Sequence, residues 1–160
     1  MLDVSKCKPP SQSAVLDRVS GNDFLDCYCI EAESTPRQAS NVITDFPEWA
    51  VFLLGIRRIV TTPFGLMNDG PEADDKIGAF PVETENEHEL IAGFDDKHLN
   101  FRISVISLDR KVYLATWVRP HNLAGRAYLS IIMPFHILIA RNGLARVKNA
   151  MEAQRQVGPI

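Results

Sequence analysis

The residues of this chain best suited to chemistry occupy every second position of one short segment. They are Asp96, His98, Asn100 and Arg102. A spacing of two puts side chains on one face of a β-strand. A carboxylate beside an imidazole fixes its tautomer and raises its basicity, and a nearby guanidinium holds an anionic oxygen in a two-pronged grip. The pattern fits a cyclase, hydratase or hydrolase that uses His98 as base, with Arg102 and Asp96 orienting a carbonyl substrate.

The same pattern has a purely structural interpretation. The polar side of a half-exposed sheet carries such residues, with Arg102 paired to an acidic residue of a neighbouring strand. The intervening Leu99, Phe101 and Ile103 are apolar and have the better claim to the concave, packed side. This parity places His98 outside, which weighs against the enzyme interpretation.

A second polar group lies where the last predicted strand meets a long C-terminal helix. Asn122 is placed to cap that helix, because its side-chain oxygen can accept from unpaired backbone N–H groups, and Arg126 can reach back toward the sheet. We interpret this group as a structural polar network made of Asn100, Arg119, His121, Asn122 and Arg126. His136, flanked by two apolar residues, is typical of a hydrogen-bonded core histidine.

Metal and cofactor chemistry finds little support in the sequence. The four histidines show no HxH or HxxxH spacing, and the GxSxG, GxxxxGK[ST] and GxGxxG motifs are absent. Cys7, Cys27 and Cys29 form neither a CxxC motif nor a disulfide framework, and we interpret them as buried small hydrophobic residues. We therefore expect no metal ion and no cofactor.

Composition defines the broad class of protein. The chain has 160 residues, 46% hydrophobic and 23% charged, with a formal net charge of -3. These values predict one globular domain over residues 1–160 and disfavour nucleic acid as a partner. The start has no apolar run of signal-peptide length, so we expect a cytoplasmic protein. The longest apolar stretch, residues 127–140, contains Pro134 and His136 and falls short of the roughly 20 residues that span a bilayer. No transmembrane segment is predicted.

The first half of the chain predicts a strand followed by two helices. An irregular arm at residues 1–22, with a short ordered piece at 14–19, precedes a strand at 23–32. Thr35 and Pro36 begin a helix that ends near Pro47. The next helix, residues 48–60, carries an apolar stripe that we expect to be buried, formed by Trp49, Phe52, Leu53, Ile56 and Ile59.

The second half predicts an antiparallel meander and one long helix. Period-two segments at residues 80–85, 89–95, 98–107 and 111–119 are separated by short turns. The helix begins at Asn122 or Leu123 and continues to about residue 154, kinked by Pro134 and loosened by Gly143. Residues 152–160 are expected to fray.

This order of elements predicts an α+β fold. A curved antiparallel β-sheet would wrap around the long C-terminal helix, with a helix pair after the first strand. The same order is found in the helix-grip fold of START and Bet v 1-like lipid-binding domains, where sheet and helix enclose an apolar cavity.

Four spaced segments of the chain also resemble a known family. They read IGAFPV at residues 77–82, GFDDKHLNFR at 93–102, HNLAGRAY at 121–128 and PFH at 134–136. These segments are similar to the bacterial proteins of domain of unknown function 2867, a family that we place near the helix-grip (SRPBCC) superfamily. The chain departs from the pattern at Asn100, where the family leads us to expect an aspartate, and at Ile137, where arginine is common. The resemblance implies a fold and brings no reaction with it.

Three functional hypotheses follow. In the first, a small hydrophobic or amphipathic ligand binds in a cavity between sheet and C-terminal helix, lined by Trp49, Phe52, Phe101, Ile103, Trp117, Tyr128, Ile132 and Phe135. In the second, His98, Arg102 and Asp96 are catalytic. In the third, the apolar surface of the helix around residues 131–139 mediates self-association as a homodimer or contact with a membrane surface.

Overall fold

The computed structural model describes residues 3–65 and 70–158. The N-terminal arm, residues 3–22, holds strand β1 (Ser5–Lys6) and a 3-10 helix (Ala14–Arg18) where the sequence predicts a short ordered piece. The first two residues of the predicted arm and the last two of the predicted tail lie outside the described residues.

The described residues form one antiparallel, open, curved sheet with helices. The strands lie in the order β1-β2-β7-β6-β5-β4-β3. Their bounds are β2 (Phe24–Glu31), β3 (Lys76–Ile77), β4 (Phe80–Glu85), β5 (Glu89–Asp95), β6 (Leu99–Leu108) and β7 (Lys111–Pro120). The helices are α1 (Pro36–Thr44), α2 (Glu48–Thr61) and α3 (Leu123–Gln156), with a 3-10 turn at Thr62–Phe64. The predicted α+β class, helix pair, meander and long C-terminal helix are confirmed.

Helices α1 and α3 cover one face of the sheet, which we call the helix face. Alternate residues of β2, β6 and β7 point to it and pack against the second half of α3 and the buried side of α1. The core there includes Tyr28, Ile30, Val105, Val112, Leu114, Ile43, Ala140, Leu144 and Val147. Ile103 is one of the β6 residues that point to the helix face, as expected for the packed side of the sheet.

The arm covers the opposite face, which we call the arm face. Val15 packs there against Cys27, Ile91 and Trp117, and Trp117 is 1% exposed. Buried Glu89 fastens the arm, because its carboxylate accepts hydrogen bonds from Ser13 Oγ at 2.6 Å and from the backbone N–H of Ala14 at 2.8 Å, as well as from Ser104 Oγ. Both faces of the sheet therefore bury apolar residues.

Local sequence explains how α1 and α3 begin. Thr35 and Gln38 form a reciprocal capping box at α1, and the side chain of Asn122 accepts from the N–H of Gly125 at 2.9 Å at α3. Helix α3 runs without interruption through Pro134. Gly143 gives α3 room to pack closely, because a Cβ atom there would lie 3.3 Å from Ile43 of α1.

The predicted burial of the α2 stripe is wrong. Trp49, Phe52, Ile56 and Ile59 are all exposed, with Phe52 68% and Ile59 76% accessible. The physical reason is that α1 and the second half of α3 already cover the sheet, so α2 has no sheet surface against which to pack. A helix with an apolar stripe still requires something to cover it.

Candidate functional site

Arg102 and Asn100 lie on the arm face. The Arg102 side chain is 13% exposed and donates to Asn100 Oδ1 at 2.6 Å and to the carbonyl of Phe101 at 2.7 Å. Glu83 of β4 faces its Nε at 3.4 Å. The guanidinium is therefore engaged by local acceptors and by an acidic residue, as in the structural interpretation of the sequence pattern, but that residue is on β4, which is separated from β6 by β5.

His98 belongs to the base of α3. Its Nδ1 lies 3.0 Å from Nδ2 and 3.3 Å from Oδ1 of Asn122, and its carbonyl accepts from the backbone N–H of His121 at 2.8 Å. The Asp96 carboxylate accepts from the backbone N–H of Lys97 at 2.7 Å. These contacts join the β5–β6 turn to the start of α3, whereas Arg102 faces the arm side of the sheet.

The predicted polar network is divided among several contacts. His121 Nε2 pairs with Asp95 of β5, and Asn122 caps α3 as the sequence predicts. Arg126 is exposed on the first turn of α3. Arg119 instead lies on the arm face, opposite Asn100 in the register of β6 with β7.

Arg119 and Trp117 hold a buried carboxylate beneath the arm. Arg119 donates to both oxygens of Asp23, through Nε to Oδ1 at 3.0 Å and through one terminal nitrogen to Oδ2 at 2.8 Å. Trp117 Nε1 donates to Oδ2 at 2.9 Å, and the guanidinium lies 5.1 Å from the centre of the indole. The hydrogen bond from Arg119 is the main cause that lowers the pKa of Asp23 to about 2.

His136, whose side chain is half-buried, pairs with buried Asp26 of β2. Nε2 lies 3.0 Å from Asp26 Oδ2, and the ring edge packs on Phe24 with centroids 6.3 Å apart. Thr116, which is opposite Asp26 on β7, has a buried hydroxyl with no hydrogen-bond partner in the described residues. The sequence predicts a hydrogen-bonded core histidine here, and the structure supplies its partner.

The eight residues predicted to line a ligand cavity are not brought together. Trp117 points to the arm face because it alternates with the helix-face residues of β7, and Trp49, Phe52 and Phe135 are exposed. Phe101 and Ile103 lie half-buried on the helix face, while Tyr128 and Ile132 are half-buried on α3. An open groove of about 570 Å³ lies elsewhere, lined by charged residues that include Glu33, Arg110, Lys148 and Arg155. None of the eight lines it.

The most prominent surface feature is an exposed apolar surface shared by α2 and the first half of α3. Arg57 of α2 donates to Tyr128 Oη of α3, and its guanidinium lies 5.5 Å from the centre of that ring, so the two helices are neighbours. Spacings of three and four place most of the exposed apolar residues of each helix in one stripe, with Val51 of α2 beside it. We call this surface the apolar face and define it by Trp49, Val51, Phe52, Ile56 and Ile59 of α2 with Ile131, Phe135 and Leu138 of α3.

The helical segments that form the apolar face contain few charged residues, and most of these are basic. In α2 and residues 123–140 the charged residues are Glu48, Arg57, Arg58 and Arg126. In α3 the first acidic residue is Glu152. A window of 18 residues in α3 has a mean hydropathy of 1.5, enough by length and composition to cross a membrane, and 11% of it is buried. Core helices of soluble proteins pass that test with most of the window buried, which is not the case here.

Sequence reasoning found the α3 part of this face and missed the α2 part. The signal was available, because apolar residues of α2 occur on more sides than one stripe requires: Val51 and Leu54 stand outside the stripe of Trp49, Phe52 and Ile56. Such breadth is typical of a helix covered on several sides. Metal ligation has no support, since the described ranges 3–65 and 70–158 contain no group of three or more His, Cys, Asp or Glu side chains able to hold an ion.

The fold and the exposed face define an α+β protein with an open sheet, a long C-terminal helix and an uncovered apolar surface. Comparison with known families is consistent with the resemblance noted in the sequence. The chain belongs to the family described as "Protein of unknown function (DUF2867)", whose model matches residues 18–143. No curated protein and no solved structure matches the chain.

Proposed function

We propose that this protein binds the surface of an anionic lipid bilayer through the apolar face. The observation that carries the proposal is the exposure of large apolar side chains on two adjacent helices, among them Phe52 (68%), Ile59 (76%) and Ile131 (69%). Large exposed apolar patches mark contacts with a partner or a membrane. Trp49 at the start of α2 suits the boundary between headgroups and acyl chains.

Charge favours lipid over a second copy of the chain. Arg57, Arg58 and Arg126 accompany the apolar face, whereas Glu48 is the acidic residue that these segments supply. Two copies meeting at this face would bring together two pairs of helices in which basic residues outnumber acidic ones. Acidic lipid headgroups supply the complementary charge, with the apolar side chains entering the boundary below.

Helix α3 would lie along the membrane rather than cross it. Its second half is packed in the core through Ala140, Leu144 and Val147. Within the apolar half, His136 is paired with buried Asp26 of the sheet. Crossing the bilayer would pull His136 away from Asp26 and carry its imidazole into hydrocarbon without that partner, which is costly. A surface position leaves both contacts in place.

Flotation with lipid vesicles tests the proposal. Vesicles containing phosphatidylglycerol are expected to carry the protein upward, vesicles of phosphatidylcholine alone to carry much less, and added salt to weaken the anionic binding. The double variant Phe52→Glu/Ile59→Glu is expected to stay at the bottom, because two carboxylates then meet acidic headgroups. Val157→Glu, which alters an exposed apolar residue beyond the other end of α3, is the matched control and should float like the wild type.

Other occupants would give different results. A dimer in light scattering that Phe52→Glu dissociates, with no flotation, would assign the face to a second copy and overturn the lipid proposal. Tight binding of a monomeric fatty acid without vesicle binding would overturn it in favour of the small amphipathic ligand that the sequence predicts.

A further inference from the structure

Three thiols come together where the arm crosses β2. The register of β1 with β2 pairs Ser5 with Cys29 and Lys6 with Tyr28, and one residue further the N–H of Cys7 donates to the carbonyl of Cys27 at 2.9 Å. Cys7 Sγ lies 3.4 Å from Cys27 Sγ. Cys29, two residues after Cys27, shares the arm face and places its sulfur 3.4 Å from Ser5 Oγ.

The backbone geometry at this point suits a disulfide. Directly opposed residues of an antiparallel pair have Cα atoms about 4.5–5.5 Å apart, inside the roughly 4.4–6.8 Å range of disulfide-bonded cysteines. From their separation of 3.4 Å the sulfurs need to approach by about 1.4 Å to reach a bond of about 2.05 Å. Both thiols are reduced in this structure.

We propose that Cys7 and Cys27 form a reversible disulfide that fastens the arm to the sheet. The oxidant is a low-molecular-weight disulfide. The Cys7 thiolate attacks one of its sulfurs, forms a mixed disulfide and releases one thiolate. Cys27, as thiolate, then attacks the sulfur of Cys7 and displaces the second small thiolate, which takes up a proton. Two protein thiols are thereby oxidised to one disulfide, and the small disulfide is reduced to two thiols.

The order of these steps follows from accessibility. Cys7 is half-buried in the arm, whereas Cys27 is 1% exposed and Cys29 is buried. A small disulfide therefore meets Cys7 first. Burial is the main cause that raises the pKa of Cys7 to about 12. Cys29 adds to the rise, whereas the contact with Cys27 and the charge of Lys111 on β7 oppose it. Thiolate is scarce at neutral pH, so the exchange is slow there and accelerates as the solution becomes alkaline.

The bond closes a loop from Cys7 to Cys27, and this loop contains two contacts that hold the arm on the sheet. Between Cys7 and Cys27 lie Val15, which packs on Trp117, and Ser13, which donates to buried Glu89. Closing this loop lowers the conformational entropy of the unfolded chain. The bond also keeps the arm on the sheet when its other contacts break. The oxidised protein is expected to unfold at a higher urea concentration than the reduced protein.

The test uses oxidised glutathione at mildly alkaline pH, followed by acid quenching and intact mass. The wild type and Cys29→Ser are expected to lose two hydrogen atoms, to give a peptide of the arm linked to one containing Cys27, and to show a raised urea midpoint that dithiothreitol restores. Cys7→Ser, with unchanged circular dichroism, should show neither change.

Three results would overturn the proposal. One is a glutathione adduct on Cys7 as the final product. Another is a Cys7–Cys29 link that Cys29→Ser abolishes. The third is a Cys7–Cys27 bond that leaves the urea midpoint unchanged, since the bond would then not fasten the arm.

Discussion

Asp23 is a residue whose ionisation the fold stabilises strongly. Arg119, Trp117 and the backbone N–H of Ser20 all donate to its carboxylate. The pKa of Asp23 in the folded chain is about 2, below its ordinary value of 3.8. The folded state therefore binds this proton less readily than the unfolded chain does. The stabilisation is fully present above about pH 4 and is lost as the pH falls toward about 2.

Replacing this carboxylate should make the stability of the protein depend less on pH in acidic solution. Asp23→Asn is expected to unfold at a lower urea concentration than the wild type at neutral pH, and its midpoint should fall less steeply between about pH 4 and about pH 2. Asp17→Asn, an exposed change in the same arm, controls for loss of an acidic charge. If the urea midpoints of Asp23→Asn and the wild type fell equally steeply between about pH 4 and about pH 2, this explanation would be wrong.

At the same scale, local roles were predictable from the sequence and distant partners were not. The cap made by Asn122 depends on residues three apart, so a short motif reveals it. The partner of Arg119 is Asp23, 96 residues away, and the partner of His136 is Asp26, 110 residues away. Such pairs are set by strand order and register, which no local pattern encodes. The acidic neighbour foreseen for Arg102 is Glu83, on a strand not adjacent to its own.

The start of α3 depends on the absence of a side chain at Gly125. A Cβ atom there would lie 2.1 Å from the carbonyl oxygen of His98, a backbone atom that cannot turn aside. Gly125→Ala is expected to lower the free energy of unfolding by about 1–3 kcal/mol, because α3 must shift away from the β5–β6 turn.

Gly55 of α2 is the matched control for that substitution. A Cβ atom at Gly55 would meet nothing within 4 Å. Gly55→Ala is therefore expected to be neutral or to stabilise by up to about 1 kcal/mol through helix propensity. Urea unfolding of both variants measures the difference, and an equal effect at the two glycines would show that the close approach of α3 to His98 is unimportant.

Elements were more predictable than their packing. The five longer strands agree with the predicted segments within a residue at each end, because period two and turn residues mark them locally, whereas the two-residue strands β1 and β3 are not predicted. The apolar stripe of α2 predicts a helix with equal reliability, but it does not tell which surface covers that helix. The stripe therefore predicts burial for Trp49 and Phe52, which the structure leaves exposed. The uncovered stripe became the main indication of function.

At the scale of the whole molecule, the proposed function depends on where the exposed apolar surface lies and on what covers it. The sheet is covered on both faces, by α1 with α3 and by the arm. The large apolar residues left over are concentrated on α2 and the first half of α3. The order of elements predicts an enclosed ligand cavity. It does not show whether α2 packs against the sheet, and so it does not predict that Trp49 and Phe52 are exposed.

The two tryptophans allow the central claim to be tested directly. Trp49 lies on the apolar face, whereas Trp117 is buried on the arm face. In the variant Trp117→Phe, Trp49 is the sole tryptophan, and Trp49→Phe leaves Trp117 as the internal control. The measurement is tryptophan emission on phosphatidylglycerol vesicles whose acyl chains carry bromine, which quenches tryptophan at the hydrocarbon boundary. Our account predicts a blue-shifted and quenched Trp49 with an unchanged Trp117. Unchanged Trp49 emission, with or without flotation of the protein, would contradict docking through the apolar face.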